Sequence, residues 1–142
     1  MDKLTVGYTT GVFDLFHIGH LNILKRAAER CDYLIVGVTS DDTVFTYKKR
    51  RPVIPLRERM AIVEAIRFVD KVVVQEEMDK IKAHDRYKFD KLFHGDDWKN
   101  SEMYKNIENE FKKRGVEVIY FPYTKGTSTS ELKLKIYMEQ IK

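Results

Sequence analysis

Short apolar runs alternate along this chain with stretches whose apolar residues recur at helical spacing. "LTVGYTT" (4–10) and "YLIVGVTS" (33–40) read as strands, as do "KVVVQ" (71–75), "KLFHG" (91–95) and "VEVIYFP" (116–122). Between them, "HLNILKRAAERC" (20–31), "LRERMAIVEAIRFV" (56–69) and a weaker segment around 77–86 read as helices. "SEMYKNIENEFKKRG" (101–115) is a helix closed by glycine, and "STSELKLKIYMEQI" (128–141) opens on Ser128 and Glu131, which fit a capping box. Strands alternating with helices predict a parallel sheet covered on both faces. "YLIVGV" is too apolar to have a wet side. The expected fold is α/β, a single Rossmann-like, doubly wound, five-stranded parallel sheet, with residues 1–142 as one domain.

In such sheets ligands bind beyond the carboxyl ends of the strands. Four polar clusters follow predicted strands: "TTGVFDLFHIGH", "TSDDTVFTYKKRR", "HGDDW" and "YTKGTSTS". They should gather along one edge. "YKKRRP" (47–52) reads as a long polar loop on that edge, placed to bind phosphate.

Composition narrows the class. The chain has 142 residues, 43% hydrophobic and 34% charged, which is ordinary for a globular domain with one core. The net charge of +4 fits an anionic small substrate as well as a polyanion. The acids of "TSDD" and "HGDD" oppose nucleic-acid binding, and no RNA-binding signature is present. Cys31 is the only cysteine, so no intrachain disulfide forms, and a reducing, cytoplasmic setting is expected. There is no secretory pattern at the N-terminus and no apolar run of membrane-spanning length, so no membrane association is expected.

The chemistry concentrates in His17 and His20, which flank Gly19 at a strand-to-helix turn. A metal site would need further ligands, with Asp14, Cys31 or His94 as recruits, and no established zinc spacing accompanies the pair. A core role suits one histidine better than two. The turn itself favours an anion, because free backbone N–H groups and the helix dipole attract negative charge there. Gly19 would let a phosphate approach the backbone. Imidazole N–H groups could then stabilise charge on a phosphoryl oxygen.

"YTTGVFDLFHIGH" resembles the signature of the nucleotidyltransferases that carry a His-x-Gly-His motif, and within them the cytidylyltransferases, especially those acting on glycerol 3-phosphate. "RFVDKV" (67–72), "GDDW" (95–98) and "TKGTSTS" (124–130) stand in the family's order and spacing, so the resemblance covers nearly the whole chain. It implies attack by the phosphate of a phosphorylated alcohol on the α-phosphorus of CTP, giving a CDP-alcohol and pyrophosphate, with Mg²⁺ accompanying CTP. Phosphoethanolamine, phosphocholine or another phosphorylated polyol are alternative acceptors, and ATP is an alternative nucleotide.

By the same resemblance, His17, His20 and Lys48 are the expected catalytic residues. Thr9 or Thr10, with Gly11, Phe13 and Gly19, would meet the nucleotide phosphates, Thr9 being favoured. Asp14 would orient the loop or a histidine, or else cap the helix. Lys48, Arg50, Arg59 and Arg67 would meet the acceptor, with Arg57 in place of Arg59 if the helix is rotated. "RFVDKV" is implied to lie at a homodimer contact close to the active site. Gly95, Asp96, Asp97 and Trp98 would meet base and ribose, and either aspartate could hold water around Mg²⁺. Thr124, Gly126, Thr127, Ser128 and Thr129 would cradle the β- and γ-phosphates. Here the sequence departs from the family: an arginine usually precedes that threonine, and this chain has Tyr123, which supplies no charge. Lys125 is the expected compensation.

Overall fold

The computed structural model describes residues 3–96 and 99–141. Five parallel strands, β1 (Val6–Gly11), β2 (Tyr33–Thr39), β3 (Lys71–Gln75), β4 (Lys91–Gly95) and β5 (Glu117–Phe121), form one sheet in the order β3-β2-β1-β4-β5. Among the described residues six α-helices connect or follow them: α1 (Ile18–Ala28), α2 (Asp41–Lys48), α3 (Leu56–Glu64), α4 (Lys80–Tyr87), α5 (Glu102–Arg114) and α6 (Thr129–Gln140).

Each face of the sheet has its own core. Leu34, Val36, Val38, Phe93 and Phe121 pack with Leu24 and Ala27 of α1 and Val63 of α3. Tyr8, Leu92 and Val116 pack on the other side with Phe89 and with Phe111 of α5. Burying each such side chain contributes roughly 1.5–3 kcal/mol, and using both faces is what makes the sheet doubly wound. The chain moves outward from β1 through β2 to β3, then returns across the sheet to β4 and β5. The reversal falls between β1 and β4, so the crevice at their carboxyl ends is where a ligand is expected.

Two expectations need correction. Residues 41–48 of the second polar cluster form a helix that the sequence reading did not include, α2, and Lys48, expected in the loop 47–52, is its last residue. Only Val44 of this helix is buried, so no apolar stripe betrays it. Its signals are at the ends: Ser40 Oγ accepts from Thr43 N at 3.1 Å, and Asp41 and Asp42 complement the helix dipole. The second correction concerns α3, which stops at Glu64 rather than Val69. Residues 65–70 turn the chain into β3, where Asp70 Oδ2 accepts from Leu34 N at 2.8 Å.

The Ser128 cap holds, with Ser128 Oγ accepting from Glu131 N at 3.1 Å. Helix α6 itself buries none of its residues. Its N-terminus is tied down instead by Thr129 Oγ1, which donates to the Asp14 carbonyl at 2.8 Å.

Candidate active site

The segment between β1 and α1 is held in an unusual shape. Phe13 and Leu15 both have left-handed backbones, with φ of 56° and 50°, and they bracket Asp14. The Asp14 carboxylate is buried and accepts from Val53 N at 2.8 Å and Ile54 N at 2.9 Å, and Lys133 Nζ lies 3.6 Å from it. Asp14 therefore orients the loop, as one reading of the sequence had it, by joining the first polar segment of the edge to the residues just after the second. It is not the cap of α1.

That cap is His17. Its Nδ1 accepts from Gly19 N at 3.0 Å, while His20 Nδ1 accepts from His17 N at 3.2 Å, forming a reciprocal capping box built from two histidines. A backbone N–H can only donate, so both Nδ1 atoms are unprotonated and the neutral rings carry their protons on Nε2. The rings stack with centroids 3.8 Å apart, and the Phe13 ring meets His20 edge-on at 5.3 Å. Burial lowers the pKa of both imidazoles, and the neighbouring His17 helps bring His20 down to about 4. At neutral pH each histidine is an uncharged donor fixed in one tautomer.

Gly19 serves a purpose the sequence reading missed. A Cβ there would come within 2.8 Å of His17 Cε1 and 3.0 Å of its Nδ1. The missing side chain makes room for the His17 ring. Gly11 is constrained likewise by the Phe13 ring, 3.0 Å from where its Cβ would stand.

His20, Phe13 and Asp14 line a cavity of about 190 Å³ closed on its other sides by Lys48, Arg50, Arg51, Thr129, Ser130 and Lys133. Its charge is strongly positive. Partial burial and the nearby Arg50 and Lys133 cations lower the Lys48 pKa. Lys133 escaped the sequence reading, although its spacing of four from Thr129 places both on one face of α6. Arg51 belongs to the basic run 47–52 but was not singled out; it pairs with Asp42 at 3.0 Å and stacks over Phe45.

The loop before α6 is pinned against α1. Asn22 Nδ2 donates to Thr124 Oγ1 at 2.9 Å, and Arg26 Nη1 donates to the Pro122 carbonyl at 3.4 Å. Gly126 has φ of +78°, a turn conformation that favours glycine. Thr127 and Ser128 follow at the mouth of α6, whose first-turn amides lack intrahelical acceptors as at any helix start. Lys125 is exposed. Tyr123 covers Gly95, where an added Cβ would lie 2.7 Å from the Tyr123 hydroxyl. Asp96 is exposed beyond β4; Asp97 and Trp98 lie outside the described residues.

Three residues sit elsewhere than expected. Arg59 is fully buried and faces protein, not the cavity. Its Nε donates to the Ile54 carbonyl at 2.8 Å, its Nη1 to Val12 and Thr39 carbonyls at 2.7 and 2.8 Å, and its Nη2 pairs with Asp41. It clamps the loops that carry the site. Arg57, the alternative, is exposed. Thr9 is buried with its hydroxyl donated to the Phe93 carbonyl at 3.1 Å, so the strand alternation leaves Thr10 at the edge instead. Arg67, exposed and stacked over Phe68, precedes β3 at the amino edge of the sheet, because α3 carries the chain back there. Within one chain it is remote from the cavity.

This constellation of a histidine pair and a cationic cavity has known counterparts. The family model described as cytidylyltransferase-like matches residues 8–139. The chain is 36% identical over 126 residues to glycerol-3-phosphate cytidylyltransferase of Bacillus spizizenii, covering 88% of this chain and 92% of that one. Ethanolamine-phosphate cytidylyltransferase of Arabidopsis thaliana is 42% identical over 96 residues, 63% of this chain and 22% of the plant protein. Among solved structures, the lipopolysaccharide core biosynthesis protein of Thermoplasma volcanium superposes with a TM-score of 0.72 at 27% identity, over 88% of this chain and all of that one. A chain matched by that model from its first strand to its last helix, and by a whole relative of its own length, belongs to the cytidylyltransferase-like family.

Proposed function

We propose that this chain transfers CMP from CTP to a small phosphorylated alcohol, glycerol 3-phosphate first among them, releasing pyrophosphate. The observation that carries the reading is the stacked pair of neutral imidazoles, each locked with its proton on Nε2, with His20 at the wall of a cavity rich in lysine and arginine. An oxygen of the acceptor phosphate bonds to the α-phosphorus of CTP while the bond to the bridging oxygen of the β-phosphate breaks. The electron pair leaves with pyrophosphate, and an already ionised acceptor needs no general base. Such a reaction requires fixed donors around the pentacoordinate phosphorus and cations along the phosphates. His17 and His20 supply the donors, and Lys48, Arg50 and Lys133 supply the charge. Thr124 and the mouth of α6, with the backbone N–H of Thr129, receive the outer phosphates. The assignment of acceptor follows the Bacillus relative, which matches over nearly its whole length.

The cavity's carboxylate, Asp14, is already engaged by two backbone amides and Lys133, and no cluster of three metal-ligating side chains occurs among the described residues. Asp14 is therefore not free to hold Mg²⁺; in this reading Mg²⁺ enters as the counter-ion of CTP. A homodimer is part of the proposal, with Arg67 and Phe68 exposed or half-exposed on the contact segment; light scattering on purified protein checks it. No helix among the described residues is long and apolar enough to cross a membrane. A cytoplasmic location, suggested by the single free thiol of Cys31, completes the reading.

A pyrophosphate-release assay tests the function. CTP and ATP are each offered with glycerol 3-phosphate, phosphoethanolamine, phosphocholine and other phosphorylated polyols. CTP with glycerol 3-phosphate should give the highest kcat/KM. Faster turnover with ATP, or none with any phosphorylated alcohol, would contradict the proposal.

A further inference from the structure

A second cavity, of about 220 Å³, shares no lining residue with the one that holds His20. It lies between α4 and the sheet. Tyr8 of β1, Gln75 of β3, Glu76 in the turn that follows and Ala83 and Arg86 of α4 are among its walls. The Tyr8 ring leans from β1 over Gly37 of β2, where an added Cβ would meet its hydroxyl at 2.7 Å. The missing side chain lets the phenol reach toward β3. Thr10, two residues along β1, lies over the same glycine and accepts from Lys80 Nζ at 2.7 Å; neither of these residues lines the cavity.

Two polar side chains at the wall are almost wholly buried, Tyr8 at 2% and Gln75 at 5% exposure. Gln75 Oε1 accepts from Thr39 Oγ1 at 2.7 Å, which leaves its amide nitrogen uncommitted. The Tyr8 hydroxyl has no hydrogen-bond partner among the described residues. Every fully enclosed side-chain nitrogen or oxygen among those residues does have one, so both groups open into the cavity they line. Burial and the neighbouring Tyr87 raise the Tyr8 pKa against the pull of the Arg86 charge, so the phenol keeps its proton and can donate.

Two opposite charges flank these donors. Glu76 and Arg86 line the cavity, and neither side chain forms an ion pair or hydrogen bond among the described residues. The remaining charges are engaged within the chain: Glu77 pairs with Lys82 at 3.5 Å, and Asp79 accepts from the amides of Ile81 and Lys82. Glu76 precedes α4 and Arg86 lies in its last turn, roughly 9 Å along the axis from the helix start. The free anion and the free cation therefore stand at opposite ends. The Tyr8 and Tyr87 rings, with centroids 5.5 Å apart, provide apolar surface beside them.

We propose that this cavity binds a small zwitterion of the ω-amino carboxylate class, its carboxylate on the Tyr8 hydroxyl, the Gln75 amide and Arg86, and its ammonium facing Glu76. Three donors call for an acceptor, and the charge on Arg86 favours an anionic one. Glu76 opposes a ligand that is anionic throughout and favours one with a cationic end. The methylenes between the two ends lie along the tyrosine rings. The site is separate from the transfer chemistry, and its test reads binding alone, so its failure leaves the transferase reading untouched.

Isothermal titration calorimetry on the full chain tests it, with δ-aminovalerate as probe and valerate and pentylamine as controls. The probe should bind once per chain with a millimolar or tighter Kd, and each control at least about tenfold more weakly. Tyr8→Phe removes only a hydroxyl without a protein partner, and Arg86→Met only a surface charge, so both should keep the wild-type Tm. Each should weaken the probe about tenfold or more, the worth of one hydrogen bond to a charged group. No saturable binding at tens of millimolar, a control that binds as tightly as the probe, or unchanged affinity in either variant would overturn the inference. If Tyr8→Phe does not fold, Arg86→Met decides: weakened binding supports the site, and unchanged binding overturns it.

Discussion

Replacing Arg59 with methionine separates a clamp from a substrate contact. The guanidinium is fully buried and makes four hydrogen bonds, three to backbone carbonyls and one to Asp41. Hydrogen bonds from a charged donor contribute about 1.5–3 kcal/mol each, but they share one group and do not add. Breaking a buried pair by removing one partner costs about 3–5 kcal/mol, because the remaining partners lose their satisfaction. Asp41 is about one-third exposed, so water recovers part of its share. An overall loss of about 3–4 kcal/mol follows, a substantial part of a domain's usual stability. Urea unfolding followed by circular dichroism should show a lower midpoint with an unchanged slope, and thermal scans a fall of roughly 10–15 °C. Lysine should not rescue, since a single ammonium cannot reproduce the fork. Unchanged stability, combined with a KM for the acceptor raised tenfold or more, would refute the reasoning and return Arg59 to the substrate.

Further outcomes follow from the same geometry. Lys133→Met removes one of the cations facing the cavity and should raise the KM for CTP about tenfold with little change in Tm, read by steady-state kinetics. Gly19→Ala drives a Cβ into the His17 ring and should lower both activity and helix stability, the latter by about 1 kcal/mol for the disturbed cap. The His20 pKa in the fold, about 4, lies below its unfolded value of 6.5, so the unfolded chain binds more protons between these limits. Stability contributed by the neutral ring is thus present above pH 6.5 and is lost as pH falls toward 4. Denaturation midpoints at pH 7 and pH 4.5 should differ more for the wild type than for His20→Gln.

Strands β3 and β4 begin and end where the short apolar runs do, because each run is bounded on both sides by an acidic residue. Helix α2 was illegible because it lies on the surface with one buried residue, so capping rather than periodicity specifies it. The histidine pair could be placed at the mouth of α1 from sequence, but its tautomer could not. That depends on which backbone amides face each Nδ1. Arg59 illustrates a further limit. An arginine at the start of a helix on the ligand edge can serve a phosphate or a set of loop carbonyls, and only the path of residues 12, 39 and 54 decides between them. Lys80 and Lys133 were passed over because neither belongs to a basic run; each reaches its partner across the sheet's edge from a different helix.

The central claim is that His17 and His20 act as neutral Nε2–H donors to a phosphoryl group in transfer. Pyrophosphate release from CTP and glycerol 3-phosphate by His17→Ala and His20→Ala, with folding checked by circular dichroism, tests it most directly. Each variant should stay folded and lose about a hundredfold to a thousandfold in kcat, the worth of one positioned donor. Turnover within a few-fold of wild type in both variants would contradict the account.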